Sequence, residues 1–203
     1  PPPARVEYSS HVNAPETGPL QGQLLVSSGG LHDPNFRHTV VLVGAHNADG
    51  ALGVVLNRPL EVTVEDVVPS LSGIVPPHAP LHRGGPVQPR SPVLLAELVR
   101  PERAGLHVFG PVGFLIGELP SDIAADVVRA RVFLGYAGWG PGQLEREMQE
   151  GSWITEPARV ADVFTDEPEV LWRRVLERKG PRYRSMARVP LDRKSTRLNS
   201  SHT

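Results

Sequence analysis

Apolar residues along this chain fall in short dense runs divided by glycine, proline and asparagine. Gln23-Leu24-Leu25-Val26-Ser27 reads as a buried strand ending in a loop over residues 28–36. Two further runs, 39–43 and 51–56, are rich in β-branched residues. The segment between them, His46-Asn47-Ala48-Asp49-Gly50, contains an Asp-Gly pair suited to a positive-φ turn, so a hairpin is expected. Both runs are apolar at nearly every position, the pattern of strands covered on both faces. Asn57-Arg58-Pro59 closes the second strand, because proline cannot donate to a ladder. Thr63, with Asp66 three residues on, opens a short helical stretch, and Pro69, Pro76, Pro77 and Pro80 mark a long loop. Strands are expected near 92–98, 107–109, 114–119 and 131–136, and a short helix from Ser121 or Asp122 through Arg129.

The last third carries two helix patterns. Gly140-Pro141 places proline at a helix start and Gly151 sits at a stop. Leu144 and Met148 form the apolar face between them, with Glu145, Arg146, Glu147 and Gln149 assigned to the other side. The second pattern runs from Glu167 to Lys179, with Asp166 and Glu169 as a capping pair, Leu171, Trp172, Val175 and Leu176 facing inward, and Gly180 ending it. Its basic end, Arg173, Arg174 and Arg178, reads as a solvated face. Strands mixed with helices, without regular βαβ alternation, predict an α+β or mixed α/β fold in one compact domain over residues 20–180. Residues 1–19 read as a disordered lead-in and 181–203 as an atypical C-terminal tail.

Composition narrows the function. A chain of 203 residues with 39% hydrophobic and 21% charged side chains is long enough to bury a core. A formal net charge of −1 supplies no field for nucleic acid. There is no cysteine, which rules out disulfides and thiolate metal sites. No apolar run approaches the roughly 18 residues of a membrane span, and the N-terminus lacks the apolar stretch of a signal peptide, so a cytoplasmic setting without membrane contact is expected. All basic residues other than Lys179, Lys194 and the histidines are arginine, whereas residues 193–203 resemble a translated cloning adaptor and are set aside. Removing Arg193, Lys194 and Arg197 makes the chain more acidic and disfavours DNA further.

Four segments carry a family resemblance: GQLLVSSGGLHDPNF (22–36), TVVLVGAHNADGALGVVLNRP (39–59), GGPV (84–87) and RVFLGYAGWGPGQLEREMQEGSW (131–153). FTDEPEVLWRRVL (164–176) adds to them, and GYAGWGPGQLE is the most specific string. In these the chain resembles the bacterial AlgH/YqgE family. The resemblance implies a compact α/β fold on a bifurcated sheet, folded into a pseudo-barrel with helices packed against it. Two departures stand out. Gly29-Gly30 occupies a loop where the family commonly has Pro-Gly or Ser-Pro, and residues 181–192 replace a last strand.

Candidate chemistry lies in the loops. Gly138, Trp139, Gly142 and Gln143, with Tyr136 before them, join a strand to a helix start, where free N–H groups could hold an anion and the aromatics could stack on a ligand; tight turns and core filling compete with this. The first loop offers Ser27, His32, Asp33 and Asn35, without a nucleophile-elbow signature. His46-Asn47 and Asn57-Arg58 are expected to brace the hairpin across its base. Gly84-Gly85-Pro86 reads as a turn or bulge, with Arg83 beside it able to face a pocket. His78 and His82 are four apart, but neighbouring prolines forbid the helix that would align them, so neither metal nor cofactor is expected. These features favour a domain that binds a small anionic ligand or a protein partner, with a regulatory role in view. The alternatives are a hydrolase or transferase using Asp33, His46 and Arg58 on a small anionic substrate, and the transcriptional regulator often named for the family.

Overall fold

The computed structural model describes residues 5–6, 18–29 and 34–188, with only the backbone of Arg5, Val6 and Asn35. In chain order the strands and helices are β1 (Arg5–Val6), β2 (Gln23–Ser27), β3 (Val40–Asn47), β4 (Gly50–Val55), β5 (Pro59–Thr63), α1 (Val64–Val67), β6 (Pro80–Arg83), β7 (Val87–Leu98), β8 (Leu106–Phe109), β9 (Val112–Leu115), β10 (Gly117–Glu118), β11 (Val127–Trp139), α2 (Gln143–Gln149), β12 (Trp153–Pro157), α3 (Val160–Val163), α4 (Pro168–Lys179) and α5 (Pro181–Ala187). Ten of these strands form one mixed sheet, β12-β2-β3-β4-β11-β7-β9-β8, with β6 and then β5 branching from β11. The sheet is open: β12 and β8 end it, and only β6 against β11 runs parallel. The fold is α+β, as the residues predict.

The expected hairpin is β3–β4, with Val41 opposite Val55 and Asn47 opposite Gly50. Its turn residues are Ala48 and Asp49, whose N–H donates to Asn47 Oδ1 at 2.8 Å. Alternation decides what each face covers. Val40, Leu42 and Val54 pack with Leu171, Trp172, Val175 and Leu176 of α4, all buried. Val41, Val43, Ala51 and Val55 pack on the other face with Trp139, Leu144 and Trp153. Burying a side chain of this size stabilises by about 1.5–3 kcal/mol, so α4 is held by its inward stripe rather than by its caps. Indeed Glu167 caps it without a side-chain hydrogen bond, so the predicted Asp166–Glu169 pair does not form.

Several expectations are corrected. Residues 121–129 form no helix; a 3-10 turn at Ile123–Ala125 leads directly into β11. Asp126, buried at the strand's entry, accepts two bonds from Arg100 (2.7 and 2.8 Å) and one from Arg103, which pins the chain before a helix could propagate. These arginines hold the Asp126 carboxyl below its usual range. α2 starts at Gln143 rather than at Pro141. Arg5 and Val6, within the predicted lead-in, pair with β10, and Gly18 N–H donates to the His46 carbonyl at 2.5 Å. Arg178 is not on a solvated face: its Nη1 and Nη2 donate to Asp162 at 2.8 Å each. No helix among the described residues is long and apolar enough to cross a membrane.

Candidate functional site

β11 determines where the sheet divides. Its first part pairs with β7 on one side, while on the other it meets β6 at Phe133 and Leu134 and then β4 from Ala137 to Trp139. Gly84 stitches the branch point, donating from N to the Leu134 carbonyl and accepting from Val55 N, both at 2.8 Å. A Cβ at Gly84 would lie 2.2 Å from the Gly135 carbonyl oxygen, which explains this glycine by backbone approach. Gly135, at φ 72°, lies where the β11–β7 register shifts, a conformation that favours glycine.

A cleft of about 650 Å³ opens at this branch point. Its lining joins Pro34 of the first loop, Asn57 and Arg58 after β4, Leu60 of β5, Arg83 at the end of β6 with Gly85 and Pro86 after it, and Leu134 of β11. The pairing that unites them is backbone: Arg83 N–H donates to the Arg58 carbonyl at 2.8 Å, which sets the two arginines side by side along β5 and β6. Asn57 is the hinge pin. Its Oδ1 accepts from Val40 N (3.0 Å) and its Nδ2 donates to the His38 carbonyl (2.9 Å), tying the cleft to the start of β3. The Arg58 guanidinium donates to the Arg37 carbonyl. Burial lowers the Arg58 pKa and the charge of Arg83 lowers it further. No carboxylate pairs with Arg58 or Arg83 among the described residues, and Arg83 is exposed. The His38 imidazole is held below 6.5 by burial first, then by Arg37 and Arg58, and its ring lies edge-on to Trp172 at 4.5 Å.

The residues singled out in the sequence separate into three groups. Asn57, Arg58 and Gly85 line the cleft, with Gly84 directly beneath. Ser27, His46, Trp139, Gly142 and Gln143 lie elsewhere. Ser27 is buried, its Oγ accepting from Thr39 N at 2.9 Å and its carbonyl from Trp172 Nε1 at 3.0 Å. His46 meets Glu145 of α2, Nε2 to Oε1 at 2.5 Å, and this bond holds the Glu145 carboxyl below its usual range. The expected brace from His46-Asn47 to Asn57-Arg58 does not form. The antiparallel register puts His46 opposite Ala51 near the turn, while Asn57 lies at the far end, where its side chain accepts from Val40 N. Tyr136 is half-buried against the main core and Gly138 pairs with Leu52. His32, Asp33 and the Asn35 side chain lie outside the described residues.

Around Trp139 the structure shows a packed bend. Phe36 stacks on Trp139 at 6.3 Å, and Trp153 meets both edge-on at 5.6 and 6.1 Å. Both indole N–H groups donate to Glu147 Oε2 at 2.8 Å, while Gln143 donates to Oε1 at 3.2 Å and accepts from Gly140 N at 3.0 Å. The sequence pattern places Glu147 on the solvent side of α2, whereas the structure has it on the inward face, three residues from Leu144, a spacing present in the sequence. His82, four residues from His78 and not expected to bind metal, has a different setting from the one its spacing suggests. It is buried against Phe133, its Nδ1 lacks a hydrogen-bond partner, and burial followed by the Arg131 charge pushes its pKa down to about 4. No metal-binding cluster of histidine and carboxylate occurs among the described residues.

An open mixed sheet that forks at one bulged strand, with two arginines in the fork, defines the class: a single α+β domain with a basic cleft at the sheet's branch. Residues 24–184 match the AlgH-like family, and the chain belongs to it. A UPF0301 protein of Streptomyces coelicolor is 41% identical over 184 residues, covering 87% of this chain and 95% of that protein. One from Chlorobaculum tepidum is 40% identical over 180 residues, covering 83% and 91%. Among solved structures, a Corynebacterium diphtheriae protein superposes with TM-score 0.76 at 26% identity, covering 87% and 95% of the two chains. The AlgH protein from Pseudomonas aeruginosa gives 0.64 at 27%, covering 87% and 98%.

Proposed function

We propose that this protein is a cytosolic binding domain whose ligand is a small anion seated between Arg58 and Arg83. The observation that carries this is the pair of guanidiniums in the branch-point cleft without a carboxylate partner among the described residues, one of them destabilised by burial and by the other. Bringing two cations together costs free energy that a bound anion returns, and Arg presents a donor fork matched to carboxylate or phosphate. Binding rather than chemistry is favoured because the described lining holds no imidazole, carboxylate or hydroxyl to move a proton. Any regulatory role would act through occupancy of this cleft.

The test is a titration with inorganic phosphate and with acetate, followed by amide NMR shifts. Saturable changes centred on residues 55–60 and 83–89 are expected, and Arg83→Glu should abolish them while leaving the remaining spectrum in place. Changes scattered over the surface, or none for either anion, would remove the reading.

A further inference from the structure

We infer that the ligand of this cleft is an aromatic anion, a planar ring bearing one carboxylate or phosphate, and this rests on the anion reading above. The first argument is volume. The cleft measures about 650 Å³, within the size range of organic-ligand pockets. A carboxylate or phosphate head occupies on the order of a few water volumes of roughly 30 Å³ each. A bare inorganic ion leaves most of the space unfilled, so the ligand has a body.

The second argument is the character of the walls. Pro34, Pro59, Pro86 and Pro89, with Leu60 and Leu134, make the apolar part of the lining. Proline rings present flat, rigid C–H faces to the negative face of an aromatic ring, and rigid walls lose little entropy when a ligand seats. A flexible acyl chain would gain the same area but would be ordered at greater cost. The polar contribution is confined to Arg58, Arg83 and Asn57, and the Asn57 amide is already engaged by backbone on both of its ends. Recognition of a hydroxyl-rich body such as a sugar would also need side-chain acceptors, and the described lining holds none beyond the Asn57 oxygen that already accepts from Val40 N. Guanidinium planes add stacking and cation–π attraction to an aromatic body, which they do not offer to an aliphatic one.

The test compares four probes by isothermal titration calorimetry on the full chain: 1-naphthoate, 1-naphthyl phosphate, cyclohexanecarboxylate and inorganic phosphate. We expect at least one naphthyl probe to bind about tenfold or more tightly than both cyclohexanecarboxylate and phosphate, the order of preference that aromatic stacking and cation–π contact supply. The ratio between the two naphthyl probes identifies the head group. Arg83→Gln should weaken both naphthyl probes about tenfold by removing one arm of the clamp. Arg83 is exposed and its side chain has no hydrogen-bond or ion-pair partner among the described residues, so folding is preserved. Pro89→Ser, also at an exposed position, should reduce the naphthyl preference without altering phosphate binding. Equal affinity for phosphate and the naphthyl probes would overturn the aromatic assignment while the anion reading survives. Absence of saturable binding by all four would overturn both.

Discussion

Glu147 concentrates the polar demands of one face of the molecule in a single carboxylate. Two tryptophans that are only 6% and 4% exposed, Trp139 and Trp153, both donate to its Oε2, and Gln143 reaches Oε1. Removing the acceptor strands two indole donors at about 1–3 kcal/mol each, so Glu147→Ala should cost about 2–6 kcal/mol. Glu147→Gln retains an oxygen acceptor and should cost about 1 kcal/mol. Urea unfolding of the two variants separates these outcomes, and an alanine cost within the ordinary surface range of about 0.5 kcal/mol would show that water replaces the carboxylate freely. The residue also shows a limit of reading a helix by polarity. Leu144, Glu147 and Met148 share a face by position, but a carboxylate is assigned to solvent unless its partners are known, and Trp153 lies beyond the helix that carries it.

At the scale of elements, strands were legible in the sequence where both faces are apolar. Residues 39–43 and 51–56 correspond to β3 and β4, and the inward stripe of α4 follows its 3.6-residue period. The start of β7 and the two ends of β11 were not legible, because Arg90, Arg129 and Gly138 interrupt the apolar pattern, and these stretches persist through pairing of β7 with β11 and of the end of β11 with β4. The parallel pairing of β6 with β11 leaves no local signal at all, since it depends on Gly84 meeting Leu134 across a long separation. This branch is therefore the element most sensitive to a small change. Gly84→Ala places a methyl group 2.2 Å from a carbonyl oxygen that belongs to backbone and cannot rotate away. A loss on the order of 2–4 kcal/mol is expected, in the range of strain at a packed site. Gly73→Ala, where no atom lies within 4 Å of the new Cβ and φ is not in the left-handed region, should stay within about 0.5 kcal/mol. Thermal or urea unfolding of the pair compares them directly. Similar costs would mean that β6 can slide away from β11 without consequence for the fold.

The cleft belongs to the whole molecule, because Pro34, Arg58, Arg83 and Leu134 come from four distant parts of the chain. Asn57-Arg58 and Gly84-Gly85 could be picked out as polar or small residues at strand ends. Their common address could not, because it is made by β5 against β6 and β6 against β11. A ligand that bridges such segments stabilises the fold as a unit, by about 2.7 kcal/mol at a free concentration of one hundred times Kd. For a domain of this size that corresponds to a rise in Tm of roughly 5–10 °C. His38 makes the rise depend on pH. Its folded pKa lies below 6.5, through burial, Arg37 and Arg58, so the folded protein binds fewer protons than the unfolded chain and stability declines as pH falls below about 6.5. An anion on Arg58 offsets part of that repulsion and moves the His38 pKa upward, so binding takes up protons and tightens as the pH falls. With 1-naphthoate at fixed concentration, the calorimetric Tm increase should be larger at pH 6 than at pH 8, both above the range of about 4 where a carboxylate probe itself titrates. His38→Gln should remove the difference between the two pH values while keeping the increase at pH 8. An equal increase at both pH values in the unaltered protein would mean that the imidazole does not sense the cleft.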